Sequence, residues 1–215
     1  TLRINSPSGL TNVNAQASFT HGVANKLGFT LQPVNSGSGA GGIGDVKVAV
    51  LDNKGNVVNT GSGATLPIQI AIFNNSGNAN LTANALTVSA ANGIATFQQA
   101  GIDKTGTGYK LVATSTGLVM AYSNAFNIVA GAPSKLAIIS PQTLISGICS
   151  QAFTVQIQDL GGNPASATAN TQVALSGLGS GFWYTASNCD NASKVLGNLT
   201  FASGSHSKTL YFKDM

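Results

Sequence analysis

Hydrophobic and polar residues alternate with a period of two along much of the chain. In "DVKVAVLD" (45–52), Val46, Val48 and Val50 share one face, and Lys47 and Ala49 the other. "AFTVQIQD" (152–159) repeats the arrangement, with Phe153, Val155 and Ile157 set against Thr154, Gln156 and Gln158. Such alternation marks strands with one buried face. Turn formers punctuate it at "NKGN" (53–56), "NNSGN" (74–78), "ANG" (91–93) and "LGGN" (160–163). Asn92-Gly93, between "ALTVSA" and "IATF", predicts a two-residue hairpin whose type I′ turn needs positive φ at both central residues. No stretch carries helical periodicity. The pattern predicts an all-β fold.

The strand pattern also recurs. "ANKLGFTLQP" (24–33) returns as "PSKLAIISPQ" (133–142), and "VAVLDNKGN" (48–56) as "VQIQDLGGN" (155–163). Lys26 then matches Lys135, and Asp52 matches Asp159, a period of roughly 108 residues that suits an immunoglobulin-like sandwich. The copy at 24–131 is complete and ends in "GYKLVATSTGL" (108–118) and "AYSNAFNIVAG" (121–131). The copy at 132–215 stops after "KTLYFKD" and lacks those two segments. Residues 1–22 supply segments of that type: "LRINSPSGL" (2–10) resembles "LVATSTGL" (111–118), and "AQASFTHG" (15–22) resembles "AFNIVAG" (125–131). The expected organisation is therefore the last two strands of a preceding unit in 1–22, a complete sandwich in 24–131 and an incomplete one in 132–215.

These stretches, with "GIDKTGTGYKL" (101–111), resemble the tandem bacterial immunoglobulin-like repeats of large secreted and surface proteins. "CSQAFTVQIQDLGGNPA" (149–165) and "FWYTASNC" (182–189) resemble a cysteine-bearing variant of the repeat. The resemblance implies an extracellular sandwich used as spacer, stalk or adhesive module, with no active site and no cofactor.

Composition fits that setting. Charged residues make up 7% of the chain, against about 25% in an ordinary soluble domain, and Glu is absent. The net charge of +4 comes from basic residues scattered singly, which excludes the basic cluster of a nucleic-acid interface. No apolar run approaches the ~18–20 residues of a membrane span. "TLRINSPSG" has neither the basic nor the apolar region of a signal peptide, so export would use a signal removed from, or lying outside, these residues. Cys149 and Cys189 cannot build a zinc site alone and form no Cys-x-x-Cys motif. Two readings are open: buried free thiols, or a disulfide closing about forty residues and worth about 3–4 kcal/mol. The disulfide is expected, and with it an oxidising compartment.

Candidate chemistry is sparse. Phe182, Trp183 and Tyr184 form the one aromatic cluster suited to stacking on a surface glycan; core packing, with Phe182 and Tyr184 inward or Trp183 inward, is the favoured reading. Asp52 and Asp159 each open a D-x-x-G-N turn. Six Asp spread along the chain do not build the clustered oxygen ligands calcium needs, so each carboxylate is expected to cap its own turn. His21 and His206 lie in unrelated segments. Thr1 alone does not make an N-terminal nucleophile hydrolase, which also needs an oxyanion hole and a cleft. "GSGAGG" (37–42) precedes no P-loop Lys-Ser/Thr and reads as a flexible loop.

The leading expectation is a non-enzymatic fibre subunit that polymerises head to tail. Leu2, Ile4 and Phe19 would enter the incomplete sandwich of a neighbouring copy. The alternatives are an excerpt from a long tandem-repeat adhesin or stalk, and a carbohydrate-binding module.

Overall fold

In a computed structural model of the chain, residues 2–4, 13–15, 20–140, 143–176 and 179–214 are described. The alternating segments become eighteen strands among these residues. They are β1 (Leu2–Ile4), β2 (Val13–Ala15), β3 (Lys26–Leu31), β4 (Ser36–Gly37), β5 (Gly39–Leu51), β6 (Pro67–Asn74), β7 (Leu81–Thr82), β8 (Thr87–Ser89) and β9 (Ile94–Ile102). There follow β10 (Gly106–Thr114), β11 (Ala121–Tyr122), β12 (Phe126–Val129), β13 (Lys135–Ile138), β14 (Phe153–Gln158), β15 (Thr171–Val173), β16 (Phe182–Tyr184), β17 (Leu199–Phe201) and β18 (Ser207–Lys213). Among the described residues two short 3-10 turns interrupt them, at Ser62–Thr65 and Asn191–Ser193. The fold is all-β.

A first unit is built from two sheets, β3-β5-β9-β7 and β4-β12-β10-β6-β8, with β11 also on β10. The inward residues of the alternating pattern meet between them. Val46, Val48, Phe97, Ile68, Ile70, Tyr109, Leu111 and Phe126 are buried in one cluster. Asn92 and Gly93 take φ of 49° and 79°, the hairpin turn expected from the sequence.

The stretch "GSGAGG" is a correction to the sequence reading. It is no loop: Ser36–Gly37 pairs in parallel with Ile128 and Val129, and Gly39 opens the long strand β5. Backbones approach so closely here that a Cβ on Gly101 would stand 2.0 Å from the Gly39 carbonyl oxygen. Glycine in a strand often marks such an approach.

A second unit carries the sheet β13-β14-β18-β16 and the pair β15-β17. Its buried cluster includes Val155, Ile157, Leu199, Phe201 and Leu210. β13 meets β14 as β3 meets β5: Lys135↔Gln158 and Leu136↔Ile157 parallel Lys26↔Leu51 and Leu27↔Val50. Likewise β15 pairs β17 as β6 pairs β8. Among the described residues nothing in the second unit corresponds to β10, β11 and β12. β1 and β2 form a separate antiparallel pair with Leu2↔Ala15, Arg3↔Asn14 and Ile4↔Val13. Thr1, Phe19 and the side chains of Leu2 and Ile4 lie outside what is described.

Candidate functional site

The difference between the two units leaves an open groove on the second. In the first unit the main chain of Leu27 donates to the Val119 carbonyl at 2.9 Å, and β10 pairs with β6 through Leu111↔Ile72, Val112↔Ala71 and Ala113↔Ile70. Leu27 is 4% exposed under that cover. Its register counterpart Leu136 is 49% exposed, and Ile138 beside it 54%. The free edge of β15 has no strand partner among the described residues. Between β13 and β15 runs a groove of about 550 Å³, lined by Leu136, Ile157, Ala167, Val173 and neighbouring residues. Exposed apolar groups beside an unpaired strand edge are the features a sheet needs to accept a further strand.

The pairing of β1 with β2 has a counterpart in the first unit. With "LRINSPSGL" laid on "LVATSTGL", Ile4↔Val13 and Arg3↔Asn14 fall on Ala113↔Ala121 and Val112↔Tyr122. The intervening stretch 5–12 is one residue longer than 114–120, which matches the extra residue in the first of the two sequences.

A second feature is the contact between the two units. Asp159 caps its own turn as expected: its Oδ1 accepts from the Asn163 main chain at 2.9 Å. It also reaches beyond it. Oδ2 accepts from Gly131 N at 2.9 Å and from the Ser38 hydroxyl. Asn163 completes the joint: Nδ2 donates to the Asp103 carbonyl at 2.8 Å, and Oδ1 accepts from Thr105 N at 3.2 Å. Lys104 Nζ donates to the Gly161 carbonyl. Asp159 and Asn163 are buried at this joint. Burial alone would push the Asp159 carboxyl up, but the donors Ser38, Asn163 and Gly131 outweigh it and hold the group down at about 2.

The Asp52 turn repeats half of this arrangement. Asp52 Oδ1 accepts from Lys54 N and Asn56 N, both at 2.9 Å, and Oδ2 from Asn56 Nδ2 at 3.0 Å and Gly22 N at 2.8 Å. Those bonds, led by the Asn56 side chain and the Gly22 main chain, hold its carboxyl well below the usual range. Gly55 and Gly162 take φ of 92° and 83°, the positive values the tight turn requires. Asn56, however, is exposed.

Cys149 and Cys189 are joined, with Cα atoms 5.7 Å apart. Of the aromatic run, Tyr184 is buried. Trp183 meets Phe153 and Phe212 edge-on at 5.2 and 5.3 Å between ring centroids. Lys194 Nζ sits 3.0 Å from the Phe182 ring centroid, so a sugar stacking on that face would compete with a cation. His21 bonds Thr60 at an exposed position, while the His206 carbonyl accepts from Ile157 N. Among the described residues no three His, Cys, Asp or Glu groups are placed to hold a metal ion, and no helix is long and apolar enough to cross a membrane. The sequence reading found both Asp turns but missed Ser38, Asp103, Lys104 and Thr105; the signal available was Gly161. A Cβ there would stand 2.3 Å from the Asp103 carbonyl oxygen.

No family model matches the chain, and no curated protein matches it. Among solved structures, the Yersinia pseudotuberculosis adhesin InvE aligns with a TM-score of 0.33 and 16% identity, covering 87% of this chain and 51% of the adhesin chain. The chain thus spans about half the length of that structure, and a likeness of this size says nothing of what it binds.

Proposed function

We propose that this chain is a structural module of an extracellular surface fibre, in which strands of an adjacent copy close the open groove of the second unit. The observation that carries the reading is the contrast between Leu27, sealed under β10–β12, and Leu136, exposed at the same register. The pairing of β1 with β2 supports residues 1–22 as the closing segment, since it has the register of β10 with β11. Leu2, Ile4 and Phe19 are the residues that enter the groove. The disulfide supports an oxidising, extracellular setting. Strand addition between copies is heterologous and does not close on itself, so it builds a filament.

A variant lacking residues 1–22 tests this. It should stay monomeric where the whole chain forms polymers, and a synthetic peptide of residues 1–22 should bind it and raise the melting temperature of the second unit. Polymers formed equally well by the shortened chain, or a peptide without effect, would overturn the reading. Completion along one longer polypeptide would show as an intact natural protein far heavier than 21.6 kDa.

A further inference from the structure

We infer that the Asp52–Asn56 turn is a docking surface for another copy of this chain, and receives the end of its second unit that carries Ser146 and Asp214. The inference rests on the strand-sharing reading above. The Asp159 turn shows what a filled joint looks like: Asn163 uses both its amide nitrogen and its oxygen on the preceding unit. The Asp52 turn shares the bonds from the Asn main chain and side chain to the carboxylate, adds one from Lys54 N, and has the same entering glycine, Gly22 in place of Gly131. Its Asn56 has spent one N–H on Asp52, and among the described residues its side-chain oxygen accepts nothing. Half of the joint stands ready.

The end of the second unit has groups to meet it. Asp103 lies beyond Phe97, which pairs with Val46, and Asp214 lies beyond Leu210, which pairs with Phe153; the two sit at the same end of their sheets without being counterparts in register. Ser38 precedes β5, and Ser146 lies ahead of β14. Ser180 and Ser146 donate hydroxyls to Asp214 at 2.6 and 3.5 Å, gathering polar groups at that end.

The two turns differ at two positions, Asn53 for Leu160 and Lys54 for Gly161. Lys54 stands where the internal joint has Gly161, and a side chain at 161 would collide with the Asp103 carbonyl. Docking on the Asp52 turn therefore opens on that side, and the Lys54 stem runs along the arriving Asp214. The cation of the internal joint comes from the opposite partner, Lys104. Lys54 is exposed, and its ammonium has no partner among the described residues.

The test is the critical concentration for assembly of the full chain, measured by sedimentation at low and high salt. Lys54→Glu should raise it about threefold to tenfold at low salt, and much less at roughly 0.5 M. Lys54→Glu combined with Asp214→Lys should recover most of the loss. Asn56→Ala should raise it about fivefold at both salt concentrations, with the melting curve of the dilute chain as control for its own turn. If the wild-type chain assembles and none of these variants moves the critical concentration, the docking surface is refuted while strand sharing stands. If the wild-type chain never assembles, strand sharing fails, and the joint with it.

Discussion

Leu27 and Leu136 offer a matched pair of substitutions. Each follows a lysine at the start of its strand and faces the same register position, Val50 or Ile157. They differ in cover, at 4% and 49% exposed. Leu27→Ala removes buried methyl groups from a packed core and leaves a cavity, which costs about 2–5 kcal/mol. Leu136 already shows half its surface to water, so its truncation in the dilute chain forfeits about 1 kcal/mol. In the assembled state the donated strands would cover Leu136 as β10–β12 cover Leu27. The remaining half of its burial, again about 1 kcal/mol, then appears as a roughly fivefold rise in the critical concentration. Urea titration of the dilute chain reads the first effect, and sedimentation at increasing concentration the second. Leu136→Ala as destabilising as Leu27→Ala in the dilute chain would mean the groove is already closed. Unchanged assembly would mean that nothing docks there.

Two further outcomes are expected. Reducing Cys149–Cys189, which are separated by 40 residues, should cost the second unit about 4 kcal/mol by loop entropy; in calorimetry with and without reductant, only the transition of the second unit should move. Asp159 is held at about 2, below the ordinary 3.8. A depressed carboxyl gives its full stabilisation above the unfolded value and loses it as pH falls from about 4 towards 2. The melting temperature should drop across that window, and Asp159→Asn should flatten the drop; an unaltered profile would mean that the joint bonds are not formed in solution.

Much of this was legible in the residues. The period-two runs gave the strands, and Asn92-Gly93 gave its hairpin, because a turn with two positive φ angles has few sequence solutions. The cysteine pair and both Asp turns were found by type and spacing. "GSGAGG" was misread because glycine serves loops and close-packed strands alike, and only the partner strand decides which. The inter-unit joint was invisible for another reason. Ser38 meets Asp159 across 121 positions, and Asp103 and Thr105 contribute main-chain atoms, which leave no mark on residue identity. The aromatic run suits core packing better than a ligand platform, and Trp183 is engaged by Phe153 and Phe212, contacts made only once β14, β16 and β18 pair.

The central claim is that residues 1–22 of one copy close the groove of another, and a cross-link reads it most directly. In the first unit Ala113 lies opposite Ile70; Ile4 and Val173 hold the corresponding positions, so their Cβ atoms should come within about 4.5–5.5 Å between copies. The native cysteines are already paired, which leaves introduced thiols free to report. A chain carrying Ile4→Cys and Val173→Cys, treated with a short thiol cross-linker, should give a ladder of dimers, trimers and longer species on a denaturing non-reducing gel. Monomer alone, whether unlinked or linked within one chain, would contradict the account.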